Sequence, residues 1–310
     1  MHITPFLPCH AAAASLLLKK QYQQQRSQVP CLPPSPVFPS LEKLANGLGM
    51  AAFEGEEMVG YLCAWEPFPH MFGTRWPGVF SPVEAHAASG SDPLRTWQRL
   101  YQAAAQTWEK AGAAYHAVAL WRQDIPGREA LFGYGFGKRC ADAIRPTTPL
   151  NVPDVPGITC TELPPGSGKA VRHLRAGTYQ HLQKSPCFLA GSEKNMQYWL
   201  DHVQDRPVRL FAALHDGTPV AYMEVGEDGE NFVTGHPSML NICGAHCLPP
   251  FRGTGTSAML LQHVLSTLHR EGIALLGVDY ETMNPTAIGF WEKHFSPYTL
   301  SLSRRIDSID

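Results

Sequence analysis

The sequence of 310 residues predicts an α/β (α+β) protein of two tandem units, each a mixed central sheet flanked by helices. One observation is a strand–turn–helix pattern near the C-terminus. The apolar run Met239 to Leu248 stops at Pro249 and Pro250 and turns through Arg252-Gly253-Thr254-Gly255-Thr256-Ser257. It then enters a segment with Leu260, Leu261, Val264, Leu265 and Leu268 at helical spacing, ended by Gly272. A second observation is a hairpin pattern that occurs twice. Ala51-Ala52-Phe53 answers to Ala212-Ala213-Leu214, and Val59-Gly60-Tyr61 to Val220-Ala221-Tyr222, at one offset (212 − 51 = 161, 222 − 61 = 161). A third is the proline-rich stretch 146–157, which reads as an extended linker. The expected domains are therefore 1–148 and 157–310.

The first unit begins with a strand near Ile3–Leu7 and a helix over Ala11–Gln25. Residues 29–40 are too rich in proline for helix or central strand, because proline lacks the donor. A short helix over Leu41–Asn46 follows. Strands Met50–Phe53 and Met58–Trp65 flank the turn Glu54-Gly55-Glu56. Asp92-Pro93 starts a helix that aligns Leu94, Trp97, Tyr101, Ala104 and Trp108, and Gly112 ends it. Ala114–Leu120 is a strand and Gly127–Tyr134 a short helix.

The second unit repeats the order. Strand Ile158–Leu163 leads to helices Lys169–Gln183 and Glu193–Val203 around a loop at Lys184–Ser192. Asp216-Gly217 is a strong hairpin signal between Phe211–His215 and Val220–Val225. After the glycine turn and its helix comes strand Ala274–Glu281. Asn284-Pro285 then places a cap and a first-turn proline ahead of helix Thr286–His294. A last strand, Tyr298–Ile306, is expected to close this unit.

A net charge of −2 points to neither a nucleic-acid nor a membrane partner. No stretch reaches the apolar length of a membrane span. The eight cysteines are dispersed without a CxxC pair, which fits free thiols in a reducing cytoplasm. Cys243 and Cys247 share a strand face and His246 points the other way, so no metal is expected there.

The glycine turn carries the chemistry. Glycines let backbone approach a ligand and reach positive φ, and the first N–H groups of a helix lack intrahelical partners. Such a helix start is an anion site suited to pyrophosphate, and Arg252 adds charge. A tight turn without ligand is the plain alternative.

The succession of strand, glycine turn, helix, strand and Asn-capped helix resembles the GNAT superfamily of N-acyltransferases. In that family a Gln/Arg-x-x-Gly-x-Gly/Ala turn grips the pyrophosphate of acetyl-CoA, and an Asn-x-x-Ala-x-x-x-Tyr helix flanks its pantetheine. Gly253, Gly255, Asn284 and Ala287 match. Pro250 stands in place of the first Gln/Arg, and Trp291 in place of the tyrosine that is often the general acid. The resemblance implies an N-acetyltransferase. It would move an acetyl group from acetyl-CoA to a primary amine of a small molecule or peptide by direct attack. A non-catalytic acyl-CoA-binding sensor or scaffold is the alternative.

By that resemblance the cosubstrate contacts are Cys247, Leu248, Arg252, Gly253, Thr254, Gly255, Thr256, Ser257, Asn284 and Trp291. Backbone N–H groups at Cys247 and Leu248 would meet the thioester oxygen. Glu281 ranks first as base, then Glu224, with Asp279 and His246 behind, while Tyr222 or Tyr280 could supply a proton. By the same resemblance helices 169–183 and 193–203 would shape the acceptor pocket and offer Tyr179, His181, Phe188 and Trp199, with core packing the plainer reading of these residues. The first unit has Glu84–Ser91 where the glycine turn should be. It is expected to be a degenerate copy with an acid near the phosphate position. The protein is then a monomer, as an intramolecular pseudo-dimer, or a homodimer, with a small-molecule amine as partner.

Overall fold

The computed structural model describes residues 1–189, 191–203 and 207–306. Residue 190 of the expected loop 184–192 and the last four residues lie outside these.

In chain order the elements begin with β1 (His2–Pro5), α1 (Ala11–Gln28), β2 (Met50–Glu54), β3 (Glu57–Leu62), β4 (Gly78–Ser81) and β5 (His86–Ala88). Next come α2 (Pro93–Lys110), β6 (Tyr115–Trp121), α3 (Ile125–Gly133), β7 (Gly137–Pro146), β8 (Ile158–Leu163), α4 (Arg172–Gln183) and α5 (Glu193–Val203). The chain continues through β9 (Arg209–His215), β10 (Thr218–Gly226), β11 (Met239–Cys247), α6 (Thr256–Arg270) and β12 (Leu275–Glu281). It ends with α7 (Pro285–His294), β13 (Ser296–Pro297) and β14 (Thr299–Arg305). The expected class, mixed sheets flanked by helices, is the one observed.

The chain packs as two units, though not with the boundaries read from the sequence. Unit 1 comprises 1–142, 281–283 and 296–310; unit 2 comprises 143–280 and 284–295. The proline-rich stretch thus belongs to unit 2, and the last strand belongs to unit 1. β14 pairs along its whole length with β6, from Thr299 opposite Trp121 to Arg305 opposite Tyr115. It pairs with β7 on its other side. Thr299 fixes the placement: its buried hydroxyl donates to the Asp142 carboxylate at 2.6 Å and accepts the Asp142 N–H at 2.8 Å. Its alternation buries Leu300 and Leu302 in the unit 1 core, beside Trp97, Leu100 and Trp108.

Unit 1 holds the sheet order β1-β2-β3-β5 and a second run β4-β6-β14-β7. In unit 2 the order is β12-β11-β10-β9-β8, with β11 and β12 parallel. The duplication is visible in the pairing register. Ala51 faces Tyr61 and Ala52 faces Gly60 in unit 1; Ala212 faces Tyr222 and Ala213 faces Ala221 in unit 2. Adding 161 to each unit 1 partner gives the unit 2 partner. The parallel pairs come within one residue of the same offset: Gly78 lies opposite Tyr115, and Met239, 161 residues on, lies opposite Leu275, 160 residues on. The Asp216-Gly217 turn has both residues left-handed, at φ 49° and 76°, as a two-residue hairpin of this sequence requires.

Candidate active site

The unit 2 site is an opening between two parallel strands. β11 and β12 pair from Met239/Leu275 to Ile242/Val278 and no further. Beyond that point β11 stays with β10, and the register skips Cys243 between Glu224/Val225. This bulge bends β11 away from β12, as bulges do.

The backbone direction in the opening follows from one bond. The Leu248 N–H donates to the Val220 carbonyl at 2.9 Å. In an antiparallel ladder, residues two apart turn their backbone groups to the same side. His246 and Gly244 therefore face β10, while Ala245 and Cys247 direct their N–H groups into the opening. Leu248, expected as a donor to the ligand, is corrected: its N–H is already bonded within the sheet. Ala245 takes its place beside Cys247. No sequence signal marked this, since the phase depends on the bulge.

A cleft of about 580 Å³ continues from this opening. It is lined by the β11 end, by Tyr222 of β10, by Gly253, Gly255 and Ser257 of the turn, and by Asn284 and Trp291 of the last helix in the unit. The volume lies within the usual range for small-ligand sites. At the turn, Gly253 and Gly255 have φ of 76° and 97°, and Gly255 caps α6. A side chain at Gly253 would meet open space, whereas one at Gly255 would press on Val155 at 3.2 Å. The first intrahelical bond runs from Met259 N–H to Gly255 C=O; of the N–H groups before it, that of Thr256 reaches the Thr254 hydroxyl at 3.5 Å, and those of Ser257 and Ala258 are the unpaired ones of a helix start. Thr254 and Thr256 turn to each other, with hydroxyls 2.9 Å apart, and neither lines the cleft. Arg252 donates to the Cys247 carbonyl at 2.8 Å, which ties the turn to the strand end.

Asn284 is a cap before it is anything else. Its side-chain oxygen accepts from the Thr286 N–H at 3.2 Å and the Thr286 hydroxyl at 2.7 Å, and lies 3.2 Å from His181 Nε2. Trp291 is buried edge-on against Phe290 and Phe295 and forms cleft wall.

The expected bases are engaged elsewhere. Glu224 is 2% exposed and pairs with the buried Arg175 at 2.6 Å. Glu281 pairs with Arg139 and does not line the cleft. Asp279 is exposed and likewise absent from the lining. Tyr280 donates to Glu292 at 2.9 Å. Among the described lining residues there is no carboxylate at all. Charge spacing in the sequence could not reveal these pairings, because each joins residues from distant elements.

What the cleft does hold is His246. Burial pushes its imidazole down to about 4, with Arg252, His181 and His173 adding to the effect. It is therefore neutral at ordinary pH. Gly177 marks its position: a Cβ there would lie 2.7 Å from His246 Nε2. A glycine inside α4 costs helix stability relative to alanine, and the close approach of this ring accounts for it. That glycine was the available sequence signal. His181 and Thr178 of the same helix line the cleft, but Tyr179 packs on Trp199 and Phe188 is exposed. Tyr222 lies 3.3 Å from the Thr178 hydroxyl, and burial raises its phenol well above the usual range. Burial also raises the Cys247 thiol, so it is no ready nucleophile.

Residues 175–296 match the model of the acetyltransferase (GNAT) family. The chain carries a GNAT domain. The GNAT fold extends further. A GCN5-related N-acetyltransferase from Sphaerobacter thermophilus superposes over 100% of this chain and 97% of its own, at 14% identity and a TM-score of 0.59. A glucosamine N-acetyltransferase region of a fungal multi-domain GH3 β-N-acetylglucosaminidase covers 97% of this chain and 38% of that one, at 12% identity and 0.53. No curated protein sequence matches the chain. Among the described residues no helix is long and apolar enough to cross a membrane.

In unit 1 the equivalent opening is filled. His86 of β5 reaches across to the Ala119 carbonyl of β6 at 2.8 Å and packs on Trp97. The helix start has no free anion site either. Ser91 donates through its hydroxyl to Glu54 at 2.8 Å, and the Asp92 carboxylate accepts the Arg95 N–H. The acid expected near the phosphate position was Glu84. It is half-buried instead, in the segment between β4 and β5, and Glu54 and Asp92 stand at the helix start.

Proposed function

We propose that this chain is an N-acetyltransferase that moves an acetyl group from acetyl-CoA to a primary amine of a small molecule, by direct attack in the unit 2 cleft. The observation that carries the proposal is the parting of β11 and β12 beside a glycine turn at a helix start. The residues fit the cosubstrate. Gly253 and Gly255 offer a turn without side chains, and the first N–H groups of α6 suit pyrophosphate. Arg252 and Lys293 add positive charge around a lining whose described residues include no acid. Ala245 and Cys247 present the groups an added strand would pair with, and in this reading the Cys247 N–H would meet charge on the thioester oxygen.

His246 is the group we assign to the amine. An imidazole titrating near 4 does not strip a free ammonium at neutral pH. The amine therefore enters neutral, and its remaining protons become acidic only as the C–N bond forms. His246 then accepts one. Tyr222, held protonated, donates a hydrogen bond toward the departing sulfur. A cleft without carboxylates favours an acceptor that is neutral or carries an acid group over a polycation.

The test follows thiol release from acetyl-CoA across a panel of amines. Wild type should turn over at least one of them. A positioned base contributes ~10²–10⁴ in rate, so His246→Gln should lose about that factor while Glu281→Gln keeps its turnover. Full activity in His246→Gln would remove the assigned base, and no thiol release with any amine would remove the activity.

A further inference from the structure

Unit 1 has a cleft of its own, of about 290 Å³, between α1, β5 and the start of α3. It is not the opening that His86 plugs but the space outside it. Its walls include Leu17, Gln21 and Gln25 of α1, with Trp121, Pro126 and Asp124 opposite. The residues Leu17, Gln21, Gln24 and Gln25 fall on one helix face by their spacing.

Two glutamine side chains in this wall each carry a buried atom without a hydrogen-bond partner among the described residues. Gln25 is 1% exposed. Its Oε1 accepts the Gln123 N–H at 3.1 Å, which fixes the amide orientation, and its Nε2 is buried with nothing to donate to. One turn earlier on the same face, Gln21 Oε1 is buried with no donor. A buried donor left unsatisfied costs about 1–3 kcal/mol, so such groups ordinarily have partners. Here a donor and an acceptor stand about one helical turn apart at one cavity wall, with apolar Leu17, Pro126 and the Trp121 ring around them.

We propose that this cleft binds a small neutral carboxamide with an apolar body. The ligand carbonyl accepts from Gln25 Nε2, and its N–H donates to Gln21 Oε1. A carboxylate offers no N–H and would set negative charge against Gln21 Oε1. The lining carries Lys20 as well as Asp124, so the missing N–H for Gln21 Oε1 is what disfavours the acid; Asp124 is itself engaged, one oxygen accepting the Gly127 N–H at 2.8 Å and the other the Trp97 indole at 3.0 Å. Coenzyme A is disfavoured, since Glu54 and Asp92 occupy the helix start that its phosphates would need.

The experiment is calorimetry on the full chain with nicotinamide as the probe, a carboxamide on a flat ring, and nicotinate as its acid counterpart. Nicotinamide should bind at least tenfold more tightly than nicotinate. Gln25→Glu keeps an oxygen for the Gln123 N–H but buries a carboxyl group, so it should lower the melting temperature as well as weaken nicotinamide at least tenfold, and the uncharged Gln21→Leu separates the two effects. Gln21→Leu should weaken it as well. The proposal is overturned if nicotinamide does not bind, if nicotinate binds equally, or if both variants bind like wild type. Competitive displacement of nicotinamide by acetyl-CoA would overturn it too, by placing the probe in the unit 2 cleft.

Discussion

The glycine turn can be tested at one atom. Gly253 has φ of 76° and nothing within 4 Å of an added Cβ, so a side chain there projects into open space. Gly253→Ala should cost only the backbone term, ~1–2 kcal/mol of stability for a left-handed L-residue. Gly253→Glu adds a carboxylate on top of that same term. At ~5 Å from a phosphate charge and an effective dielectric of about 20, the repulsion is ~3 kcal/mol; exposure to solvent reduces this to roughly half. Acetyl-CoA affinity should then fall about 10–100-fold in Gly253→Glu and little in Gly253→Ala. Calorimetry at low salt measures both, and added salt should narrow the gap. Comparable affinities for the two variants would mean that the pyrophosphate does not lie at this turn.

Two further outcomes follow from buried groups. Removing one member of the Glu224–Arg175 pair leaves an uncompensated charge, so Glu224→Gln should lose ~3–5 kcal/mol in denaturant unfolding, whereas Glu224→Leu with Arg175→Met should recover most of it. An unchanged stability with a large loss of turnover would instead make Glu224 the base. His86 is held neutral by burial, its imidazole lowered from 6.5 to about 4. Between those values the unfolded chain binds the extra proton, so stability falls as pH drops through that window, by ~2 kcal/mol at pH 5 for this residue. His116 acts in the same direction; Asp124, raised to about 6, opposes them by binding a proton in the folded state first. Comparing unfolding at pH 7.5 and 5 should show a shallower loss in His86→Gln, whose amide can still donate to Ala119, and equal losses would refute the assignment.

Much of this protein was legible in its residues alone. Local signals are written where they act: Asp216-Gly217 made its hairpin, Asn284-Pro285 its capped helix, and Gly253 and Gly255 their left-handed turn. The 161-residue offset survived into the pairing register because equal alternation buries equal faces. Three things were decided only by tertiary structure. The last strand alternates as suitably for one sheet as for another, and its place in unit 1 was set by Thr299 meeting Asp142 and by Leu300 and Leu302 entering that core. The phase of the β11 backbone was set by a bulge at Cys243, which turned Ala245 rather than Leu248 into the opening. The fate of each carboxylate was set by partners far away in sequence: Arg175 took Glu224, Arg139 took Glu281, and neither pairing is visible until the chain has folded. A charge in a sequence is only a candidate for chemistry, because burial and a counter-ion, both properties of the fold, determine whether it can hold or release a proton.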